Sequence, residues 1–118
     1  MKIEKEYTEN DILRFLGLAM RASKVVSGND QLVQEVRRGH VKLLLIARDI
    51  SENTLDKFLD VIQKADLEIP VAYRFADKFS LGNAIGKPDR ALVGITDEGF
   101  AGKLEIMLER FEYKEGMN

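Results

Sequence analysis

The chain has 118 residues, of which 45% are hydrophobic and 32% charged, and this composition predicts one globular domain over residues 1–118, with a frayed tail at 113–118. The absence of cysteine excludes disulfides, thiolate metal sites and cysteine nucleophiles, and the formal net charge of −2 argues against indiscriminate binding to nucleic acid. The longest apolar run, Leu43–Ala47, is too short to span a membrane, and the charged N-terminus lacks the apolar core of a signal peptide, so we expect a cytoplasmic protein without a membrane partner.

Helical and strand patterns alternate along the chain, with short connections between them. The helices are indicated by apolar residues three and four positions apart, most of them after a residue that can cap a helix. The run Leu43–Ala47 predicts a strand buried on both faces, as in parallel sheets. The alternation predicts an α/β fold, a three-layer α/β/α sandwich with a mixed, mostly parallel four-stranded sheet. In chain order we expect a helix after Thr8, strand Val25-Val26, a helix from Asn29 or Asp30 to about Arg38, strand Leu43–Ala47, a helix after Ser51, a strand from Ile69 or Pro70 to Tyr73 or Arg74, a helix after Asp77, strand Ala91–Ile95 and a helix after Asp97.

Charge is distributed unevenly along the sequence. Residues 14–48 contain seven basic and two acidic residues, a net charge of +5, whereas the remaining eleven basic and eighteen acidic residues carry −7. This asymmetry suggests one basic face on an otherwise acidic molecule. Ordinary solvated charge explains the same composition equally well.

The junction between the first strand and the second helix is a candidate site for an anionic ligand. The amides that follow Gly28 are free at a helix N-terminus, where the helix dipole adds partial positive charge and a glycine lets a ligand approach closely. The side chains of Asn29, Asp30 and Gln31 carry groups that can hydrogen-bond to base edges. The alternative is that Asn29 and Asp30 only cap the helix, and spacing alone favours this alternative.

The flank of the same helix is suited to a phosphate backbone. Gln34 and Arg38 follow Gln31 at helical spacing, on the side opposite the apolar stripe. Arg38 can hold a phosphate, and Arg21 and Lys24 join it if the first two helices pack together.

Enzymatic interpretations find little support in the sequence. Gly28 stands alone in its turn and no Gly-Lys-Ser/Thr follows it, which excludes a P-loop and a dinucleotide-binding fingerprint. The only histidine, His40, is expected to face solvent or to bond a carbonyl. Ser51 and Ser80 have no base nearby in sequence, and Asp97-Glu98 is typical of a helix N-terminus. We therefore expect no catalytic residues, no metal and no cofactor.

Four segments resemble a known family when they are taken together: FLGLAMRASKVVSGND (15–30), VRRGHVKLLLIARDISENT (36–54), LGNAIGK (81–87) and ALVGITDEGFAGKL (91–104). The chain resembles the L7Ae/L30e family of RNA-binding ribosomal proteins, most closely its small bacterial YlxQ-type members. The resemblance covers nearly the whole chain. It implies an α/β/α sandwich without enzymatic activity that binds kink-turns, the sharply bent internal RNA loops built on tandem sheared G·A pairs.

The family signature at the junction is glycine, any residue, asparagine and glutamate, then lysine three positions on and arginine four further. Gly28 and Arg38 match it, whereas Asp30, Gln31 and Gln34 replace the asparagine, glutamate and lysine. An ionised Asp30 can only accept hydrogen bonds and Gln34 has no charge for phosphate, although Gln31 keeps an acceptor. These departures disfavour tight kink-turn binding.

The second family contact is the loop before the last strand, which is Gly86–Ala91 in this sequence. Lys87 and Arg90 make this loop basic where many relatives are apolar, so we expect phosphate contacts there. From the resemblance and from the charged residues near these two contacts, we expect an RNA-binding surface formed by Gly28, Asn29, Asp30, Gln31, Gln34, Arg38, Arg21, Lys24, Lys87 and Arg90.

Two functional hypotheses follow from these observations. The first is a monomeric, non-enzymatic protein that recognises structured RNA, ribosomal RNA included. The second is a protein-interaction adaptor that kept the fold and lost strong RNA binding, as Asp30, Gln34 and the acidic balance outside residues 14–48 suggest. An enzyme that binds a small molecule or a nucleotide is a distant third.

Overall fold

The computed structural model describes residues 6–116, with side chains to residue 112, and over this range it contains five helices and four strands in the predicted order. The expectation of a frayed tail at 113–118 stays a prediction, because the last helix continues to Gly116 and residues 117–118 lie outside the described range. The elements are α1 (Glu9–Arg21), β1 (Val25–Ser27), α2 (Asn29–Arg37), β2 (Leu43–Ile46), α3 (Glu52–Lys64), β3 (Ala72–Arg74), α4 (Lys78–Ala84), β4 (Leu92–Ile95) and α5 (Glu98–Gly116).

The four strands form one mixed sheet in the order β1-β4-β2-β3. β4 is antiparallel to both β1 and β2, and only β2 and β3 are parallel. The prediction of a mixed sheet is confirmed, but the prediction that it is mostly parallel is wrong, because two of its three strand pairs are antiparallel. The apolar run at β2 does not report strand direction. An interior strand covered by helices on both faces is apolar whichever way its neighbours run.

The core divides into two groups of side chains, one on each face of the sheet. Leu43 and Leu45 point to the face covered by α1, α4 and α5, whereas Leu44 between them points to the face covered by α2 and α3. Side chains of the first group include Ile12, Leu16, Leu81, Leu104 and Leu108, and those of the second include Leu32, Val36, Phe58 and Ile62.

Side-chain caps begin most of the helices, as the sequence predicts. Thr8 forms a reciprocal capping box with Asp11 at α1, and Ser51 Oγ accepts from Thr54 N at 3.1 Å at α3. Asp77 caps α4 in the same way, and Asp97 Oδ2 accepts from Phe100 N at 2.9 Å in the first turn of α5. The exception is α2, whose start is the centre of the candidate site.

Strand direction gathers several loops at one end of the sheet. β1, β2 and β3 finish at this end and β4 begins there, so Ser27, Ile46, Arg74 and Leu92 lie in neighbouring rows. We call it the junction end. The loops that follow β1, β2 and β3 and the loop that precedes β4 therefore share one edge of the molecule.

Candidate functional site

The start of α2 has no side-chain cap. Its N-cap is Gly28, with φ +90°, and the first helical hydrogen bond joins Leu32 N to Gly28 O at 2.9 Å. Asn29 and Asp30 are the first residues inside the helix and are exposed, so the alternative that they merely cap α2 is wrong. A β-carbon at Gly28 would meet no atom within 4 Å, so the glycine is required by its backbone angle rather than by crowding. The amides of residues 29–31 precede the helical ladder and face an open surface.

The polar residues of α2 lie on its exposed side, and some of them line a groove against α3. Asp30 and Gln34 line a shallow groove against α3, where Lys57 of that helix supplies a positive charge. Gln31 and Arg38 are exposed and do not line this groove. Because Gln31, Gln34 and Arg38 are spaced three and four positions apart, they share the exposed side of α2, and a ligand at its N-terminus can contact all three.

Arg38 is held by an ion pair on the protein surface. Its Nη1 donates to Glu35 Oε1 at 3.0 Å, and the other oxygen of Glu35 lies 2.7 Å from His40 Nδ1. The hydrogen bond with His40, supported by Arg38, lowers the pKa of the Glu35 carboxyl below its ordinary value of 4.5. His40 faces solvent, which is one of the two expected placements, and its Nδ1 is hydrogen-bonded to the Glu35 carboxylate. The Arg38 side chain remains 61% exposed, so its remaining donors are available to a ligand.

The loop before β4 reaches the start of α2 through one side-chain bond. Arg90 Nε donates to Ser27 Oγ at 3.2 Å, and Arg90 Nη1 donates to the carbonyl of Asp89 at 3.0 Å. This contact brings together the two regions that the sequence marks as candidate contacts, the α2 start and the loop with Lys87. Close packing at Gly82, where a β-carbon would overlap the carbonyl oxygen of Pro88, fixes the loop against α4.

Three further cations lie at the junction end, and the list of site residues drawn from the sequence omits them. Arg74 ends β3, Arg48 follows β2, and Lys78 begins α4; all three are exposed. Arg48 N donates to Ala76 O at 2.8 Å, and Arg90 N donates to Lys78 O at 2.9 Å, which ties these segments together. The signal that could have found them is the convergence of strand ends at one edge of a sheet.

Two carboxylates at the junction end are occupied by backbone groups. Asp49 Oδ1 accepts from Lys78 N at 2.8 Å, and Asp77 Oδ1 accepts from Ser80 N at 2.7 Å. The hydrogen bonds from Ser80 lower the pKa of Asp77. These carboxylates organise the loops rather than pair with the neighbouring cations.

Arg21 and Lys24 do not join Arg38 in the way the sequence suggests. α1 packs against α4 and α5, on the opposite face of the sheet from α2, so the condition that the first two helices pack is not met. Lys24 precedes β1, and its carbonyl accepts from Thr96 N, at the end of the sheet opposite the junction end. Arg21 lies in a groove between α1 and α4.

The hypothesis that the cations of residues 14–48 form one basic face is also wrong. Arg37 lines the α2–α3 groove and Arg48 lies at the junction end, whereas Lys42 lies at the opposite end of the sheet. Positions that are close in sequence are separated because α1 and α2 cover opposite faces of the sheet, and because β2 carries Lys42 and Arg48 to its opposite ends.

The polar groups of the candidate site are exposed at the protein surface. Among residues 6–112 no polar or charged residue is buried, and over the same part of the chain no three histidine, aspartate or glutamate side chains are grouped as metal ligands would be. Within the described range, no helix combines the length and apolarity needed to cross a membrane. The polar groups are arranged on the outside, where a large ligand can reach them.

The fold and the site define a small α/β protein with an open polar and basic surface at one end of a mixed sheet. The chain belongs to the Ribosomal protein L7Ae/L30e/S12e/Gadd45 family, whose model matches residues 10–105. It is 42% identical over 94 residues to the RNA-binding protein YlxQ of Bacillus subtilis (strain 168), an alignment that covers 80% of this chain and 91% of the relative.

A ribosomal relative and two solved structures extend the comparison. The large ribosomal subunit protein eL30 of Sulfurisphaera tokodaii is 31% identical over 99 residues, covering 82% of this chain and 85% of the relative. A structure of a protein of unknown function from Bacillus halodurans C aligns with a TM-score of 0.70 and 33% identity, covering 83% of this chain and 96% of the other. The Giardia lamblia 15.5kD RNA binding protein shares the fold, with a TM-score of 0.63 at 17% identity over 96% of this chain and 94% of that chain.

Proposed function

We propose that this chain is a single-domain, non-enzymatic RNA-binding protein that recognises structured, kink-turn-like RNA in the cytoplasm, as a monomer associated with ribosomes or translation. The observation that carries the proposal is the uncapped start of α2, where Arg90 and Ser27 join the basic loop to the helix N-terminus. The family membership and the names of the YlxQ and eL30 relatives support it.

In this proposal the α2 start reads the bent RNA and the surrounding cations hold its backbone. The amides of residues 29–31 donate to phosphate or base oxygens, and the side chains of Asn29 and Gln31 reach base edges that a bend exposes. Lys87 and Arg90 contact phosphates from the loop, and Arg38 contacts them from the flank of α2. Regular A-form RNA hides its base edges in a narrow major groove, so the bend is what the site selects.

Three features of the site reduce affinity relative to the family signature. Asp30 brings a negative charge to the surface that faces RNA, and Gln34 carries no charge where the family has lysine. Glu35 competes with phosphate for Arg38. We therefore expect weaker binding than the full signature gives, with a larger share supplied by Lys87, Arg90 and the neighbouring Arg48 and Lys78.

The second candidate is a protein-interaction adaptor. It is favoured by the negative charge of Asp30, the neutral Gln34 and the ion pair that holds Arg38. The exposed apolar side chain of Val61 beside the α2–α3 groove also favours it. An adaptor would show no RNA binding in which the affinity falls steeply as the salt concentration rises.

The test is to measure the affinity of the protein for a kink-turn RNA and for a regular duplex of equal length at several salt concentrations. We expect preference for the kink-turn at every salt concentration and a linear fall of log K with log salt concentration. Arg38→Ala should weaken binding, whereas Lys64→Ala, which removes an exposed cation from α3, should not. Equal affinity for both RNAs at the same salt concentration would contradict kink-turn recognition, and no measurable RNA binding would favour the adaptor.

A further inference from the structure

A second groove lies between α1 and α4, on the face of the sheet opposite α2. It has a volume of about 480 Å³. Gly17 forms its floor, because a β-carbon there would come within 3.2 Å of the Ala84 carbonyl, and the two helices approach closely as a result. Ten residues of the two helices line it, among them Arg14, Leu18, Arg21 and Phe79.

An exposed aromatic ring is the dominant apolar feature of this groove. Phe79 is 67% exposed, the highest value for a large apolar residue in the described part of the chain, and Leu18 opposite is 49% exposed. The two aromatic ring pairs found among the described residues, Phe15 with Phe100 and Phe75 with Phe111, do not include Phe79. An aromatic ring at an open surface, with a face free of other rings, is a platform on which a planar ligand can stack.

The groove is positively charged in a chain that is acidic overall. Arg14 and Arg21 line it, and none of its ten lining residues is acidic. Over the described residues neither arginine has a carboxylate within ion-pair distance. With the amide of Asn10 rotated so that its oxygen faces Arg14, that oxygen accepts from Arg14 Nη2 at 3.0 Å, which orients the guanidinium without neutralising it. The charge favours an anionic occupant.

The groove is continuous with the junction end through α4. Phe79 directly follows Lys78, whose carbonyl accepts from Arg90 N at 2.9 Å. The C-terminus of α4 leads into the loop that carries Lys87 and Arg90. A strand that leaves the junction end along α4 would pass Lys78 and then meet Phe79, with the arginines of α1 on its far side.

We propose that the α1–α4 groove binds a single-stranded extension of the RNA held at the junction end, with a base stacked on Phe79 and phosphates contacted by Arg14 and Arg21. The combination of a stacking ring with unpaired cations is the one that binds single strands with little regard for sequence. The inference rests on the proposed function, because the strand belongs to the same RNA. The proposal also assigns an RNA contact to Arg21, which the sequence predicts beside Arg38 but which lies across the sheet from α2.

The test compares four forms of one kink-turn hairpin: blunt-ended, with a six-adenosine tail at the 5′ end, with the same tail at the 3′ end, and with six abasic residues in place of the adenosines. For the wild-type protein we expect an adenosine tail at one of the two ends to raise affinity about fivefold, the lower end of the range for stacking one base on an aromatic ring. The abasic tail, which keeps the phosphates, should recover only a small part of this gain.

Variants separate the groove from the junction end. Phe79→Ala should abolish the gain from the adenosine tail, Phe79→Tyr should keep it, and Arg14→Gln with Arg21→Gln should reduce it and flatten its dependence on salt. The two Phe79 variants should leave affinity for the blunt hairpin unchanged. Ile106→Ala, which shortens another exposed apolar side chain outside the groove, is the matched control and should bind every RNA as the wild type does.

A tail that adds nothing, or a gain that survives Phe79→Ala, would overturn the proposal and leave the groove to a protein partner. The proposed function would stand in that case, because it depends on the blunt hairpin alone. A third outcome is Phe79-dependent binding to a free adenosine hexamer together with equal affinity for kink-turn and duplex. That outcome would support single-strand binding in the groove and would contradict kink-turn recognition.

Discussion

Arg90 Nε lies 3.2 Å from Ser27 Oγ, and this bond joins residues 63 positions apart in the sequence. It connects the last residue of β1 to the loop before β4, so the two halves of the proposed RNA site are held in one arrangement before any ligand binds. Preorganisation of this kind lowers the cost of ordering side chains on binding.

The first prediction concerns the coupling between these two residues. Arg90→Ala should weaken kink-turn binding about tenfold, roughly the loss of one charge-assisted hydrogen bond. Ser27→Ala should weaken it less, because Arg90 keeps its charge but loses its orientation. In the Arg90→Ala background, Ser27→Ala should have no further effect. A double-mutant cycle with one RNA measures this, and additive losses would show that the bond does not orient Arg90 for the RNA.

The second prediction is that Asp30→Asn strengthens kink-turn binding. The substitution removes a negative charge that faces phosphate and supplies an amide that can donate. Asp30 makes no cap bond, so unfolding free energy should fall by no more than the roughly 0.3–1 kcal/mol that an acidic residue contributes at a helix N-terminus. Affinity and chemical denaturation are the measurements. Glu98→Gln in the first turn of α5 is the control, and an equal gain there would reduce the effect to net charge.

The third prediction is that Gln34→Lys steepens the salt dependence of RNA binding by about one unit of slope. The new cation stands one turn from Asp30 on the exposed flank of α2, within reach of a backbone that follows the helix. Gln63→Lys adds the same charge at an exposed position of α3 and should leave the slope as it is in the wild type. If Gln34→Lys leaves the slope of log K against log salt concentration unchanged, the RNA does not contact α2 at position 34.

The fourth prediction concerns the ion pair that holds Arg38. Glu35→Gln should raise RNA affinity, by no more than about fivefold, because it frees Arg38 for phosphate and the pair is solvent-exposed. The pKa of Glu35 lies below its ordinary value of 4.5, so the native protein keeps this carboxylate ionised at a lower pH than the unfolded chain does. Its contribution to stability is therefore present above that value and is lost as the pH falls through the lowered pKa.

Denaturation of the wild type and Glu35→Gln as a function of pH checks this sign. The stability difference between the two proteins should shrink as the pH falls below about 5. A difference that grows on acidification would contradict the ion-pair assignment.

The fifth prediction uses two glycines in helices. In Gly82→Ala the new β-carbon would overlap the Pro88 carbonyl, so we expect a loss of stability of about 1–3 kcal/mol and weaker RNA binding as the Lys87 loop is displaced. Gly102→Ala in α5 meets no atom within 4 Å and should stabilise the protein by about 0.5–1 kcal/mol, with RNA binding unchanged. Thermal unfolding and affinity measured on both variants test whether α4 positions the loop.

The sequence by itself determined the elements, their order and the family. Helical spacing and capping residues predict where each helix begins because they depend on interactions within a few residues, as the Thr8 capping box and the Ser51 cap illustrate. Each segment that carries the family resemblance is a continuous stretch of sequence, so it can be recognised without knowledge of the fold. The start of β3 is a small exception: pairing begins at Val71 rather than at Ile69, since Pro70 has no amide to donate.

The tertiary structure alone decided strand direction and the neighbours of each charged residue. Nothing in the run Leu43–Ala47 says that β4 inserts between β1 and β2 and runs against both, because burial on two faces does not depend on direction. That insertion brings Arg90 to Ser27 and places Lys24 at the far end of the sheet. Interactions between residues far apart in sequence depend on how the whole core packs, and no local pattern specifies them.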